Sequence, residues 1–204
     1  MEKQVDKSNY KFERYCLPER WSSYYYQLKL VLDLMPGSIL EIGVGDGVFR
    51  DYIRSNTNIE YKSLDFAGDL SPDYVESVDD FSLGKKFDVI CAFEVLEHLP
   101  FDSFERALKN IYDHSSKYVI LSLPHFGPII NFSIKLPFFR KVDIFLKIPF
   151  PKKHFFNGQH YWEIGKKGYS VKIVKNILND HFLIKNDFVP HNSPYHHFFV
   201  LEKK

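Results

Sequence analysis

Ile39-Leu40-Glu41-Ile42-Gly43-Val44-Gly45-Asp46-Gly47-Val48-Phe49 decides the fold of this chain. A short apolar run closes on an acid, three glycines follow at alternate positions, and a helical pattern then begins. The apolar run suits a strand buried on both faces. The glycines permit a tight turn with backbone bare enough for a ligand to lie against it. The stretch therefore reads as a strand turning into a helix around a bound small molecule.

Working outward, Trp21, Tyr24, Tyr25, Leu28, Val31 and Leu32 recur at helical spacing, and Met35-Pro36-Gly37 stops that helix. Residues up to about Arg20 are polar and read as extended or loosely attached; residues 1–36 together form an N-terminal cap region. Downstream, a crossover helix is expected from Gly47 or Val48 to about Ser55, then a strand from Tyr61 to Leu64 ending at Asp65. Tyr74 to Val78 is a weak strand and Phe87 to Phe93 a central one. A helix follows from about Asp102, with Phe104, Ala107, Leu108, Ile111 and Tyr112 on one face. Tyr118 to Leu123 is a further buried strand, stopped by Pro124. Ser170 is placed to cap a last helix, and Phe182–Phe188 and Phe198–Glu202 close the chain as a hairpin. This alternation predicts an α/β fold, a Rossmann-like and mostly parallel seven-stranded sheet with helices on both faces and an antiparallel C-terminal edge hairpin.

Residues 125–168 break the rhythm. They are rich in Phe, Ile and Pro, and carry Lys135, Arg140, Lys141, Lys147, Lys152 and Lys153 against the single acid Asp143 between positions 135 and 153. They are expected to form an irregular cap insertion after the fifth strand, within one domain spanning 1–204. With 45% hydrophobic and 17% aromatic residues, the chain has enough apolar material for that core. A formal net charge of +1 argues against nucleic acid as a partner. Cys16 and Cys91 make no disulfide framework, and no run of ~20 apolar residues predicts a spanning helix. A soluble, cytoplasmic protein is the expectation.

Asp65 lies where a carboxylate accepts hydrogen bonds from the ribose of an adenosine. A nicotinamide dinucleotide wants a last glycine at position 48, where this chain has Val48. The order Glu41-x-Gly43-x-Gly45-x-Gly47 instead resembles motif I of class I S-adenosylmethionine-dependent methyltransferases. Phe87-Asp88-Val-Ile-Cys-Ala-Phe93-Glu94-Val-Leu-Glu97-His98-Leu99 looks like the fourth-strand motif of the type 11 members. Ser122-Leu123-Pro124 is similar to the end of their fifth strand, so the resemblance covers about residues 38–124. Trp162-Glu163-Ile-Gly and Pro194-Tyr195-His196 resemble the tails of bacterial and archaeal members.

The resemblance implies S-adenosyl-L-methionine as cofactor. Gly43, Gly45 and Gly47 would approach its methionine and ribose parts, Glu41 would orient the turn, and Asp65 would take the ribose hydroxyls. Phe66 would lie on the adenine, with Val78 or Asp79 at its edge; Ser77, Phe93 and Glu94 complete the expected set. The family usually has Gly-Asp where this chain has Glu76-Ser77, which shifts the adenine contact toward Asp79 or Asp80. The segment from Asp65 to Ser77 is too short for the usual second crossover helix.

Methyl transfer needs in-line approach to the sulfonium carbon and a group to take the acceptor's proton. His98 is the candidate base, with Glu97 beside it. Glu94-x-x-Glu97-His98 also resembles the metal sites of small-RNA 2′-hydroxyl and ubiquinone-pathway catechol methyltransferases, with His160-Tyr161-Trp162-Glu163 as a partial echo of a further ligand segment. Mg²⁺ or Mn²⁺ on Glu94, Glu97, His98 and His160 is thus the alternative to a metal-free site, which is the preferred reading. Trp21, Tyr24, Tyr25 and Tyr26 are candidates for an acceptor lid. The insertion is the expected acceptor-binding element, and its stretch 132–153 a possible membrane-surface contact. The expected acceptor is a small molecule methylated at oxygen: a sugar, phenolic or lipid-linked hydroxyl. A protein of this fold that binds cofactor or partner without turnover is the rival.

Overall fold

The structure, a computed structural model, describes residues 7–204. In chain order its elements are α1 (Phe12–Tyr15), α2 (Pro18–Leu32), β1 (Ser38–Ile42), α3 (Val48–Asn56), β2 (Glu60–Asp65), β3 (Tyr74–Val75), β4 (Phe87–Phe93), α4 (Phe101–His114), β5 (Ser115–Pro124), β6 (Ile129–Ile134), β7 (Val142–Lys147), α5 (Val171–His181), β8 (Phe182–Phe188) and β9 (His196–Lys203). Seven strands form one sheet in the order β3-β2-β1-β4-β5-β9-β8, and β6 and β7 pair separately. Strands β3 to β5 run parallel, whereas β9 is antiparallel to both β5 and β8. The expected sheet and its C-terminal edge hairpin are both present.

Side-chain alternation sorts the interior into two layers. Ile39, Val89, Cys91 and Ile120 pack with Val31, Phe49 and Ile53 on the side of α2 and α3. Leu40, Ile42, Ile90, Ala92, Val119 and Leu121 pack on the side of α4 and α5. The parallel strands are therefore apolar on both faces because helices cover both. Asp88 pins the entry to β1, its Oδ2 accepting from the backbone N–H of Gly37 at 2.9 Å and of Ser38 at 3.1 Å. Chain direction from β1 to β2 and from β1 to β4 diverges, which opens a crevice at the carboxyl ends of β1 and β4.

Four local expectations change. The N-terminal helix begins at Pro18, whose missing N–H and fixed φ suit a first turn. Residues before Arg20 are not merely extended, since α1 precedes that helix. The weak strand ends at Val75, because Ser77 and Asp80 bridge in a tight turn. The insertion contains a regular hairpin, β6–β7, that its composition did not announce. As expected, only a 3-10 turn (Gly68–Leu70) separates β2 from β3, and Ser170 Oγ accepts from the Ile173 N–H at the start of α5. No described helix is long and apolar enough to cross a membrane. Both cysteines are free, Cys91 deep in the sheet.

Candidate active site

At the end of β1 the chain enters a turn in which Gly43, Gly45 and Gly47 all have positive φ (82°, 55° and 80°). L-residues rarely adopt that region. At Gly43 a side chain is excluded twice over, because a Cβ there would stand 2.3 Å from Val95 Cγ2. Glu41 is buried beneath the turn and accepts a hydrogen bond from the Tyr61 hydroxyl. Burial pushes its carboxyl up to about 8 against the help of that bond. Asp65 closes β2 with Oδ2 on the Val44 N–H and Oδ1 on the Ala67 N–H, both at 2.9 Å. Burial raises its pKa while those two donors oppose the rise. Asp65 thus ties the glycine turn to the loop after β2 and keeps lone pairs for a ligand.

A cavity of about 350 Å³ starts at this turn. Its first half is lined by Gly43, Gly45, Asp65, Phe66, Ser77 and Val78, with Phe93 and Glu94 from the end of β4. Its second half is lined by Tyr15, Arg20, His98, His160 and Tyr195, whereas Tyr10 lies near Gly45 and Asp46. Glu94 has φ +56°, a conformation that costs a non-glycine residue about 1–2 kcal/mol. Its Oε2 lies 3.7 Å from His196 Nε2. Burial lifts the Glu94 carboxyl to about 8.

The second half is built by a segment distant in sequence. Trp162 is fully buried between Phe101, Phe104 and Tyr169, with ring centroids 4.9–6.1 Å away. The Tyr161 N–H donates to the Glu97 carbonyl and the Ile164 N–H to the Pro124 carbonyl, both at 2.9 Å. With Trp162 and Ile164 anchored in the core, His160 is held at the cavity wall with Glu163 beside it. His160 Nδ1 is 3.2 Å from Glu163 Oε1, and the Tyr195 hydroxyl donates to the same oxygen at 3.0 Å. Burial raises the Glu163 pKa, but those two donors outweigh it and the carboxyl ends below its ordinary value. An ionised Glu163 accepting Nδ1–H leaves His160 with Nε2 as its basic nitrogen.

His98 Nδ1 donates to the Gln159 carbonyl at 3.0 Å. Burial, then the neighbouring His160, lowers its pKa to about 4, so it is neutral at pH 7. Glu97 is fully buried behind these two imidazoles, with Oε1 3.9 Å from His160 Nε2 and 4.0 Å from His98 Nε2. Neither of its oxygens makes a hydrogen bond, and burial raises its pKa well above the usual range.

Residues 17–127, more than half of the chain, match the family described as a methyltransferase domain. The chain belongs to that family. No curated protein matches the methyltransferase significantly. Solved structures do, at low identity. The N-methyltransferase NodS from Bradyrhizobium japonicum WM9, in complex with S-adenosyl-L-homocysteine, aligns with a TM-score of 0.65 at 11% identity, covering 98% of this chain and 94% of its own. Streptomyces venezuelae DesVI aligns at 0.62 with 12% identity, covering 98% and 99%. The glycopeptide N-methyltransferase MtfA, complexed with S-adenosyl-L-homocysteine, aligns at 0.58 with 11% identity, covering 90% of each chain. These likenesses confirm the Rossmann-like class I fold over nearly the whole methyltransferase.

Of the residues singled out in the sequence, Gly43, Gly45, Asp65, Phe66, Ser77, Val78, Phe93, Glu94, His98 and His160 meet around one cavity. Gly47 and Glu41 lie under it, and Glu97 lies behind it. Asp79 turns away: Ser77 Oγ and Arg106 Nη2 both bond its carboxylate at 2.5 Å. Trp21, Tyr24, Tyr25 and Tyr26 do not line the cavity. Tyr24 is buried with its hydroxyl on Asp46, and Tyr26 packs on Phe188 and Phe198. Tyr10, Tyr15 and Arg20 form the wall instead.

Among the described residues, Glu97, His98 and His160 are the set able to converge on a cation, their ligand atoms lying within 4.8 Å of one another. Two imidazoles and one carboxylate do not suit Mg²⁺, which takes oxygen ligands in an octahedron. Glu94 faces His196 rather than that set. The Mg²⁺ alternative therefore has no support. Glu163 and Tyr195, which meet His160, were not among the candidate residues, although the Trp-Glu-Ile-Gly and Pro-Tyr-His tail motifs contain them.

Proposed function

We propose that the protein transfers the methyl group of S-adenosyl-L-methionine to a hydroxyl of a small acceptor. The observation that carries this reading is one cavity lined by the glycine turn, Asp65 and His160, with the Glu163 carboxylate on His160 Nδ1. The cofactor's ribose would lie on Asp65, its adenine between Phe66 and Val78, and its methionine along Gly43 and Gly45. The bound structures of NodS and MtfA with S-adenosyl-L-homocysteine support that choice of cofactor.

A hydroxyl attacking the sulfonium carbon forms a C–O bond as the C–S bond breaks, and its proton must leave. His160 Nε2 takes that proton, and the Glu163 carboxylate behind Nδ1 stabilises the imidazolium. This moves the base from His98, which burial makes a poor one. An amine acceptor in its neutral form already carries a lone pair and needs such a base less. Tyr15 and Arg20 would orient the acceptor.

A screen of small hydroxyl and amine acceptors with labelled cofactor is the direct test, followed by His160→Asn and Glu163→Gln. Both variants should lose about 10²- to 10⁴-fold in kcat while binding S-adenosyl-L-homocysteine as wild type does. Full activity in both variants would remove the base from His160, and label found on nitrogen would overturn the hydroxyl assignment. Cofactor binding with no transfer to any acceptor would favour the non-catalytic rival.

A further inference from the structure

The register of β6 on β7 sorts their side chains by face. Ile130 stands opposite Leu146, Phe132 opposite Ile144 and Ile134 opposite Val142. All six are 41–57% exposed. The alternate positions make the contacts to the body of the protein. Asn131 donates to the His191 carbonyl at 3.0 Å, and Asp143 lies 3.8 Å from His191 Nε2. The Lys147 ammonium donates to the carbonyls of His125 and Pro194. One face of the hairpin is tied to the domain, and the apolar face points to water.

The connection between the strands adds to that surface. It reads Lys135-Leu136-Pro137-Phe138-Phe139-Arg140-Lys141, and Leu136, Phe138 and Phe139 are exposed, Phe138 completely. A contiguous apolar surface of this kind marks an interaction site rather than ordinary solvent-facing scatter. Charge decides the occupant. Lys135, Arg140 and Lys141 flank the apolar tip, and Lys152 and Lys153 follow. The single acid, Asp143, is held by Ser133 and Lys141. Two copies of this face would set cationic rims against each other, a like-charge juxtaposition that opposes association. A bilayer with anionic headgroups accepts both the cations and the apolar tip.

We propose that the β6–β7 hairpin docks the protein on an anionic phospholipid surface. Leu136, Phe138 and Phe139 enter the acyl boundary, while Lys135, Arg140 and Lys141 sit at the phosphates. The proposal is independent of the methyl-transfer assignment. It has a geometric consequence for it, because Lys147 anchors the hairpin to the residue before Tyr195 on the cavity wall.

Flotation of the full chain with vesicles tests this. Binding is expected to phosphatidylcholine–phosphatidylglycerol vesicles and not to phosphatidylcholine alone, and to weaken with added salt. The combined variant Leu136→Ser, Phe138→Ser, Phe139→Ser should lose at least about tenfold in vesicle affinity. Its melting temperature and its affinity for S-adenosyl-L-homocysteine should stay at wild-type values, since those side chains are exposed. Arg140→Ser with Lys141→Ser should cost about fivefold per cation removed. Equal flotation of wild type and both variants, absence of flotation, or equal binding to neutral vesicles would overturn the proposal. So would a lipid-free dimer in sedimentation equilibrium that the tip variant dissociates.

Discussion

Replacing Asp65 by Asn keeps the shape of the side chain and removes its charge. Both carboxylate oxygens already accept a backbone N–H at 2.9 Å, from Val44 and from Ala67. An amide offers one acceptor oxygen, so one of those two N–H groups must face a donor. Losing a hydrogen bond to a charged group costs about 1.5–3 kcal/mol, and relief from burying the charge offsets part of it. A stability loss of about 0–2 kcal/mol by urea unfolding is therefore expected. The effect on the cofactor is separate. Two ribose hydroxyls would change from a charged to a neutral acceptor, about 0.5–1.5 kcal/mol each, which is about 5- to 150-fold weaker binding. Calorimetric titration with S-adenosyl-L-homocysteine reads that change. An analogue lacking the 2′- and 3′-hydroxyls should bind wild type and variant alike. Unchanged affinity for the full ligand, alongside lower stability, would show that Asp65 only braces the turn and that the ribose binds elsewhere.

Two further outcomes follow from the same turn. Gly43→Ala should destabilise through its positive φ, by about 1–2 kcal/mol, and through the 2.3 Å approach of Cβ to Val95 Cγ2. Because Val95→Ala removes that methyl, the double variant should be more stable than the sum of the single effects by about 1 kcal/mol or more in denaturant unfolding; strict additivity would refute the contact. The second concerns pH. Burial raises Glu41 from 4.5 to about 8, so the folded state holds a proton that the unfolded chain releases across that window. Against buried His98, His125, His196 and His197, whose lowered pKa values act in the opposite sense, the Glu41 contribution to stability should fall as pH rises from about 4.5 to 8 and level off above. Glu94 contributes with the same sign. The melting temperature of wild type relative to that of Glu41→Gln should fall over that range, and a constant difference would mean that Glu41 is ionised in the fold.

The glycine turn, the strands around it and the capped last helix were legible because each depends on near neighbours in sequence. Alternation, helical spacing and the demand for positive φ all act within a few residues. Asp65 was legible for a related reason, as a strand end has a predictable place relative to the preceding turn. The insertion was not. Its strands show an apolar face in the pairing of Ile130 with Leu146 and Phe132 with Ile144, but such a face is ordinarily covered, and sequence pattern alone reads as buried whatever covers it. The ion pair of Asp79 was not legible either, since its partner Arg106 lies 27 residues away.

By itself the sequence determined a doubly covered parallel sheet and a positive-φ glycine turn between its first strand and helix. Those features follow from local backbone conformation and hydrophobic period. Only the tertiary structure decided which distant groups join the cavity. His160 reaches the cavity, with Glu163 beside it, because Trp162 and Ile164 bury beside α4 and β5, and that burial depends on packing between segments about 40 to 60 residues apart.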